Sequence, residues 1–221
     1  VRGLDRIMAW EPPIRVVPAV ANYAREIAKR EKPPRAAWLA DLPAALEDPA
    51  ARKALLADPF LNAAVRATIS VTGLHGSDKV NVIPGEAWAR LDCRLLPGED
   101  PAAFLETLKK VAGEPDLKFE ITASSVATES PIDTELFRAI ERARDRFDAG
   151  VPVLTPPLLS TTDATTLRQI GIVVYGFEPW RLAAADDRSH GDDERLSLEN
   201  IRFGLEVTHT IVTDVCGPQN R

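Results

Sequence analysis

Three polar stretches of this 221-residue chain carry the side chains whose types could do chemistry. The first is RSHGDDERLSLEN, from Arg188 to Asn200, in which His190 lies among several carboxylates. A neutral imidazole is a common zinc ligand, but a lone histidine in a polar loop is also commonly a solvated side chain. The stretch follows a predicted buried strand, and open α/β sheets bind ligands beyond the carboxyl ends of their strands. Metal binding and a structural loop both remain open for His190, and Asp192 could equally prepare the cap of the next helix.

The other two stretches are also open to two interpretations. STTDATTLR, residues 160–168, could line a ligand site, or Thr162 and Asp163 could simply satisfy the free amides at the start of a helix. Asn81 and Arg94 lie on successive β-rich segments that a turn at Pro84 would pair antiparallel. The same two side chains could belong to a solvated sheet face.

The first half of the chain predicts a helical region followed by a small sheet. Residues 1–67 predict helices around 17–30, 38–46 and 49–57, which paired prolines separate. TISVTGL, KVNVIP, AWARLDCRLLP and LKFEITA have the composition or alternation of strands, and PAAFLETLKKVAG has one apolar helical stripe. We therefore expect a small α/β sandwich of about four strands and two helices in residues 68–125, with the earlier helices added to it.

The second half predicts part of another α/β domain. We place a boundary near Ala127, so that residues 1–126 form one domain and residues 127–221 the other. ESPIDTELFRAIERARDRF predicts a helix, GIVVYGF predicts a strand buried on both faces, and Ser197 is placed to cap a final helix. Because two helices and a strand or two are few for this length, the remaining strands of the domain are expected elsewhere.

Composition excludes some classes of protein. The formal net charge is −6 and no run of Lys or Arg is longer than a pair, so nucleic acid is not an expected partner. No apolar stretch approaches the roughly 20 residues that cross a bilayer, so we expect no membrane partner and a soluble protein. A cytoplasmic localisation is expected as well, although a targeting segment could lie upstream of this sequence. Cys93 and Cys216 lack metal-ligand spacing. The start, VRGLDRIMAW, has no initiating Met, and we expect the chain to be part of a larger protein.

Taken together, the polar stretches resemble one family. GSDKVNVIPGEAWARLDCRLLPGED, STTDATTLR with YGF behind it, and HGDDERLSLENI are similar, in order and spacing, to the second half of the zinc aminoacylase and carboxypeptidase superfamily. The nearest likeness is to the carboxypeptidase S type, whose long lid carries extra helices like those predicted for residues 1–67. The resemblance covers nearly the whole chain. It implies a lid or dimerisation domain followed by the C-terminal portion of a zinc-peptidase catalytic domain.

The resemblance also implies roles for particular residues. His190 matches the last metal ligand of the family, and Asn81 and Arg94 match lid residues that hold the carboxylate end of the substrate. An arginine suits that role because its planar fork donates two hydrogen bonds to a carboxylate. Thr162 and Asp163 match a loop that lines the substrate pocket, although Ser160 and Thr161 replace its usual glycines. Thr165 replaces an arginine that often follows.

The resemblance implies a dizinc hydrolase of N-acyl amino acids or small peptides that carry a free carboxylate, with a homodimer formed through residues 68–125. In such an enzyme zinc activates water and a glutamate takes its proton. This chain has no Glu-Glu dipeptide and no H-x-D pair besides the one that begins at His190. The general base and most metal ligands are therefore expected upstream, and the isolated chain is expected to be inactive. The alternative hypothesis is a non-catalytic dimerisation or carboxylate-binding module.

Overall fold

The computed structural model describes residues 1–182 and 188–217. The chain divides into two compact units. Unit 1 comprises Val1–Thr128 and Leu154–Thr165, and unit 2 comprises Glu129–Val153 and Thr166–Arg221. The boundary near Ala127 and the extent of the two domains stay predictions, since the chain returns to unit 1 after its first residues in unit 2.

Unit 1 begins with six short helices. They are α1 (Arg2–Ala9), α2 (Pro18–Ala28), α3 (Arg35–Ala40), α4 (Leu42–Glu47), α5 (Pro49–Leu56) and α6 (Pro59–Ala64). Aspartates start the later ones: Asp48 accepts a hydrogen bond from Ala51 N at 2.7 Å, and Asp58 accepts one from Phe60 N at 3.0 Å. In both cases a proline follows the aspartate directly. Asp-Pro is an efficient helix start, because the carboxylate satisfies a free amide and proline already has a helical φ angle.

The predicted helices around 17–30 and 49–57 are confirmed as α2 and α5, but the predicted helix at 38–46 is two helices. Asp41 separates them, with φ −133° and ψ 72°, and its side chain accepts a hydrogen bond from Ala44 N to cap α4. The core beneath these helices is aliphatic. Its largest fully buried side chains are Val20, Leu39, Leu42, Leu55 and Val65.

The sheet of unit 1 is an antiparallel hairpin of β1 (Thr68–His75) and β2 (Trp88–Arg94). Thr68 lies opposite Arg94, and His75 lies opposite Trp88. The following helix, α7 (Pro101–Ala112), ends at Gly113 in the left-handed region with φ 60°. Helix α7 and helix α1 cover one face of the hairpin through a cluster that contains Leu108, Ile7 and the half-buried Cys93.

The α/β class is confirmed, but the expected number of strands is wrong for the described residues. KVNVIP (79–84) and LKFEITA (117–123) form no ladder there, and the sheet has two strands rather than about four. A strand needs a hydrogen-bonded neighbour as well as the right residues, and side-chain alternation does not show whether one is present. Val80 and Ile83 are accordingly exposed.

Unit 2 contains α8 (Glu135–Phe147), most of α9 (Ala164–Gln169) and α10 (Leu198–Cys216). Helices α8 and α10 pack through Ala139, Ile140, Val207 and Ile211. Ser197 caps α10 as predicted, accepting a hydrogen bond from Asn200 N at 3.1 Å. No helix among the described residues has both the length and the apolar character needed to cross a membrane.

The predicted buried strand GIVVYGF, residues 171–177, forms no regular secondary structure and pairs with no other strand in the described part of unit 2. Ile172, Val173 and Phe177 are exposed there. The apolar composition of the segment is typical of a strand with sheet neighbours on both sides, and the described residues of unit 2 provide none.

Candidate functional site

His190 lies in an exposed turn of unit 2 and has a φ angle of 64°. The amide of Gly191 donates to the carbonyl of Arg188 at 3.0 Å, and the guanidinium of Arg188 pairs with Asp193. A non-glycine residue in the left-handed region is uncommon and has a conformational cost, so such residues merit attention as candidates for function. The turn thus holds the His190 backbone in an unusual conformation.

The donors around His190 do not amount to a zinc site. Zinc sites in proteins use three or four protein ligands. Over residues 1–182 and 188–217, no group of three or more His, Cys, Asp or Glu side chains is placed to hold a metal ion. The described residues could therefore supply only single ligands, such as the His190 imidazole. Other residues would have to complete the metal site.

Arg94 lies at the C-terminal end of β2, with about half of its side chain exposed. Its Nη1 donates to the carbonyl oxygen of Leu159, directly before the STTDA stretch, and its Nε donates to Asp92 Oδ1 at 3.2 Å. A guanidinium has five N–H donors, so others remain for a ligand. Within unit 1 the fold thus brings Arg94 to the loop that contains Thr162 and Asp163.

Asn81 is not brought to the same place by the hairpin. It lies in the exposed connection between β1 and β2, at the closed end, whereas Arg94 lies at the open end opposite Thr68. The six steps from Trp88 to Arg94 along β2 span about 20 Å at the usual rise of a strand. The pairing of the two strands therefore does not make Asn81 and Arg94 one binding site.

Thr162 and Asp163 have different surroundings. Thr162 Oγ1 accepts a hydrogen bond from Ala164 N at 3.3 Å at the start of α9, which is the capping role that the sequence left open. The Asp163 side chain is exposed and makes no hydrogen bond or ion pair with any residue the structure describes. Asp163 is thus the member of this loop whose charge remains available.

The sequence analysis missed a polar network that holds the GIVVYGF segment in unit 2. Arg168 donates through Nε to Ser130 Oγ at 3.1 Å and through Nη2 to the carbonyl of Val174 at 2.7 Å. Ser130 also accepts from Val174 N, and the Tyr175 hydroxyl lies 2.6 Å from Thr134 Oγ1. The network ties residues 172–175 to the start of α8. Its members come from three separate stretches, and none of them has a spacing that would indicate the others.

Cys93 has no sign of nucleophilic chemistry. Burial raises the pKa of its thiol, and the neighbouring charge of Asp92 acts in the same direction. Reactive cysteines have a lowered pKa, because the thiolate is the nucleophile. Cys93 packs as a small apolar side chain beneath α1 and α7.

Residues 22–120 match the family of the peptidase dimerisation domain of M20 type. Among curated proteins, a probable carboxypeptidase S-like protein of Dictyostelium discoideum is 26% identical over 171 residues, which is 76% of this chain and 33% of that protein. An N-fatty-acyl-amino acid synthase/hydrolase, PM20D1 of Xenopus tropicalis, is 29% identical over 180 residues, which is 78% of this chain and 35% of that protein. The chain thus spans about a third of the length of these relatives.

The fold has a counterpart among solved structures. The crystal structure of an M20 family metallo-carboxypeptidase from Sulfolobus solfataricus superposes with a TM-score of 0.54 over 95% of this chain and 51% of that one, at 17% identity. At that identity the match concerns the fold. The domain match over residues 22–120 and the sequence relatives support the resemblance of this chain to the zinc aminoacylase and carboxypeptidase superfamily of M20 type.

Proposed function

We propose that this chain is the lid and the C-terminal part of a zinc-dependent amidohydrolase that cleaves N-acyl amino acids or small peptides carrying a free carboxylate. The relatives support this substrate class, since one is named for carboxypeptidase activity and the other for N-fatty-acyl amino acids. Both kinds of molecule present a carboxylate next to the amide bond that is cleaved.

The observation that carries the proposal is the position of Arg94. Its guanidinium is anchored on the carbonyl of Leu159 and is still half exposed. An anchored arginine loses less side-chain entropy than a mobile one when it binds a carboxylate. Two parallel hydrogen bonds from the guanidinium to the carboxylate are the favoured geometry. The ion pair with Asp92 lies at the surface, where such pairs contribute little, and a substrate carboxylate could compete with it.

His190 is proposed to supply one metal ligand, and Asn81, Thr162 and Asp163 to contact the substrate. Zinc in such an enzyme supplies an activated water for attack on the amide. The described residues do not complete that site, so the part proposed for this chain is limited to substrate contacts, led by Arg94 on the carboxylate, and to the His190 imidazole as one metal ligand. Cytoplasmic localisation likewise remains a proposal.

We further propose that the whole protein is a homodimer through residues 68–125. The match to a dimerisation domain covers residues 68–120 of this range, and the hairpin and its connection expose large apolar side chains at Leu74, Val80, Ile83 and Trp88. An exposed two-stranded sheet with unpaired edges is a surface that a second chain can extend or cover.

The alternative is a non-catalytic dimerisation or carboxylate-binding module. The observation that favours it is that the described residues bring no group of three metal-binding side chains together. In that case Arg94 would bind a carboxylate ligand without hydrolysis.

The two proposals differ when the chain is joined to a catalytic half that carries the remaining metal ligands. We expect about two zinc ions per reconstituted protein by elemental analysis, little on the isolated chain, and amidase activity towards N-acyl amino acids. Loss of one metal in a His190→Ala variant would support the ligand role. No amidase activity at any zinc concentration would count against the enzyme and favour the binding module.

Substrate recognition is tested by Arg94→Gln, with Arg90→Gln as the matched control on the same strand and the same face. We expect Arg94→Gln to raise KM for an N-acyl amino acid about tenfold or more, because a charge-assisted pair of hydrogen bonds is lost. Hydrolysis of the corresponding amide without a carboxylate should change little, and Arg90→Gln should change neither. Equal effects of the two substitutions would contradict the assignment.

A further inference from the structure

An open groove of about 540 Å³ lies in unit 1, between the end of α1, helix α5 and the start of β1. Apolar side chains form much of its wall: Ile7, Met8, Trp10, Leu56 and Ile69. Its volume is within the range of small-molecule sites, and polar and apolar surface contribute about equally to its wall. None of the side chains that match the family's substrate or metal positions lines it.

Arg66 is the polar group of the groove whose hydrogen bonding is least complete. Its side chain is only 11% exposed, and Nη1 pairs with Glu11 Oε2 at 3.0 Å. Nε is buried without an acceptor, and the described chain offers no other acceptor to this guanidinium. A guanidinium has five N–H donors, and a buried cation with so few partners is costly. Nε itself is closed off, but an anion in the groove would reduce that cost by accepting from the terminal nitrogens of the guanidinium.

The charges at the groove favour an anion over a cation. Lys53 also lines it and forms no ion pair with the residues that the structure describes. Glu11 is the carboxylate among the lining residues, and its side chain is 84% exposed, so water competes with Arg66 for this carboxylate. Two cations therefore face one carboxylate that water already solvates.

We propose that this groove binds a small monocarboxylate with an apolar tail, with the carboxylate on Arg66 and the tail against Trp10 and Leu56. The charge complementarity of Arg66 and Lys53 selects the carboxylate, and the apolar wall selects the tail. An inorganic anion would leave that wall in water, and a neutral aliphatic molecule would leave Arg66 without an acceptor. The inference goes beyond the proposed function, since it requires neither zinc nor amide hydrolysis.

The test is isothermal titration of the complete chain with octanoate and with octan-1-ol, which has the same tail without the charge. We expect octanoate to bind about tenfold more tightly, and Arg66→Met to remove that difference. Arg30→Met is the matched control, because Arg30 is an exposed arginine outside the groove. Equal binding of the two probes by the unaltered chain would overturn the proposal.

Two further variants keep the test decisive if Arg66→Met does not fold. Glu11→Gln removes the competing carboxylate and should tighten octanoate binding about threefold, an effect that a purely structural Arg66–Glu11 pair would not produce. Ala57→Phe fills the groove from an exposed lining position and should weaken both probes. Unchanged octanoate affinity in both variants would overturn the proposal, whether or not the protein has amidase activity.

Discussion

Replacing Gly204, inside α10, with alanine should destabilise unit 2, although alanine is the better helix former. In an exposed helix interior that change stabilises by about 1 kcal/mol. A methyl group at Gly204 would stand 2.4 Å from Cζ3 and 3.1 Å from Cε3 of Trp180, so the indole would have to move. If it loses about 100 Å² of apolar burial, the cost is about 2.5 kcal/mol. The expected result is a net loss of about 1.5 kcal/mol, the difference between these two opposing effects.

The assay is urea unfolding followed by circular dichroism, for the four members of a double-mutant cycle on Gly204 and Trp180. In the Trp180→Ala background the indole is absent. Gly204→Ala should then stabilise unit 2 by about 1 kcal/mol, which is the gain in helix propensity from glycine to alanine. The sign of the glycine substitution should thus reverse between the two backgrounds. A Gly204→Ala variant that is as stable as the unaltered chain would refute the close packing of Trp180 on α10.

Three other substitutions test the folds of the two units. Asp58→Ala should destabilise unit 1 by about 1–2 kcal/mol in urea unfolding, because it removes the α6 cap and the 2.9 Å ion pair with Arg35. Leu39→Ala, at a site with 0% exposure, should cost about 2–5 kcal/mol in the same measurement, and a loss below 1 kcal/mol would contradict its burial. The hydrogen bond from Arg142 is the main cause that lowers the pKa of the Glu135 carboxyl. The stabilisation from the ionised Glu135 carboxylate is fully present above the unfolded pKa of about 4.3, and it is lost as pH falls through the lower folded pKa. The urea midpoint of the Glu135→Gln variant should therefore fall less on acidification than that of the unaltered chain.

Local chemistry made several elements predictable. Three Asp-Pro dipeptides occur in the chain, and each begins a helix: α5, α6 and α7. Ser197 caps α10, and Gly113 ends α7 in the left-handed region, as their positions in the sequence indicate. These features depend on contacts within one turn of helix, so neighbouring residues are sufficient to specify them.

The resemblance to the family was also visible in the sequence, because the motifs keep their order and spacing along the chain. The strands were predicted less well, since KVNVIP, LKFEITA and GIVVYGF have suitable composition but no ladder partner in the described residues. Strand pairing depends on a second segment that can be distant in the chain, and periodicity within one segment does not identify it.

The sequence by itself determined the start of α10 at its Ser197 cap, the end of α7 at Gly113 and the candidate residues, because these depend on residue type and on neighbours a few positions away. Only the tertiary structure decided which candidates meet. It placed Arg94 beside Leu159 and left Asn81 in the connection at the other end of the hairpin. It also placed Arg66 in a groove where Glu11 is its one described partner. Such contacts join residues tens of positions apart, and their geometry follows from how the helices and strands pack together, which no local pattern of residues encodes.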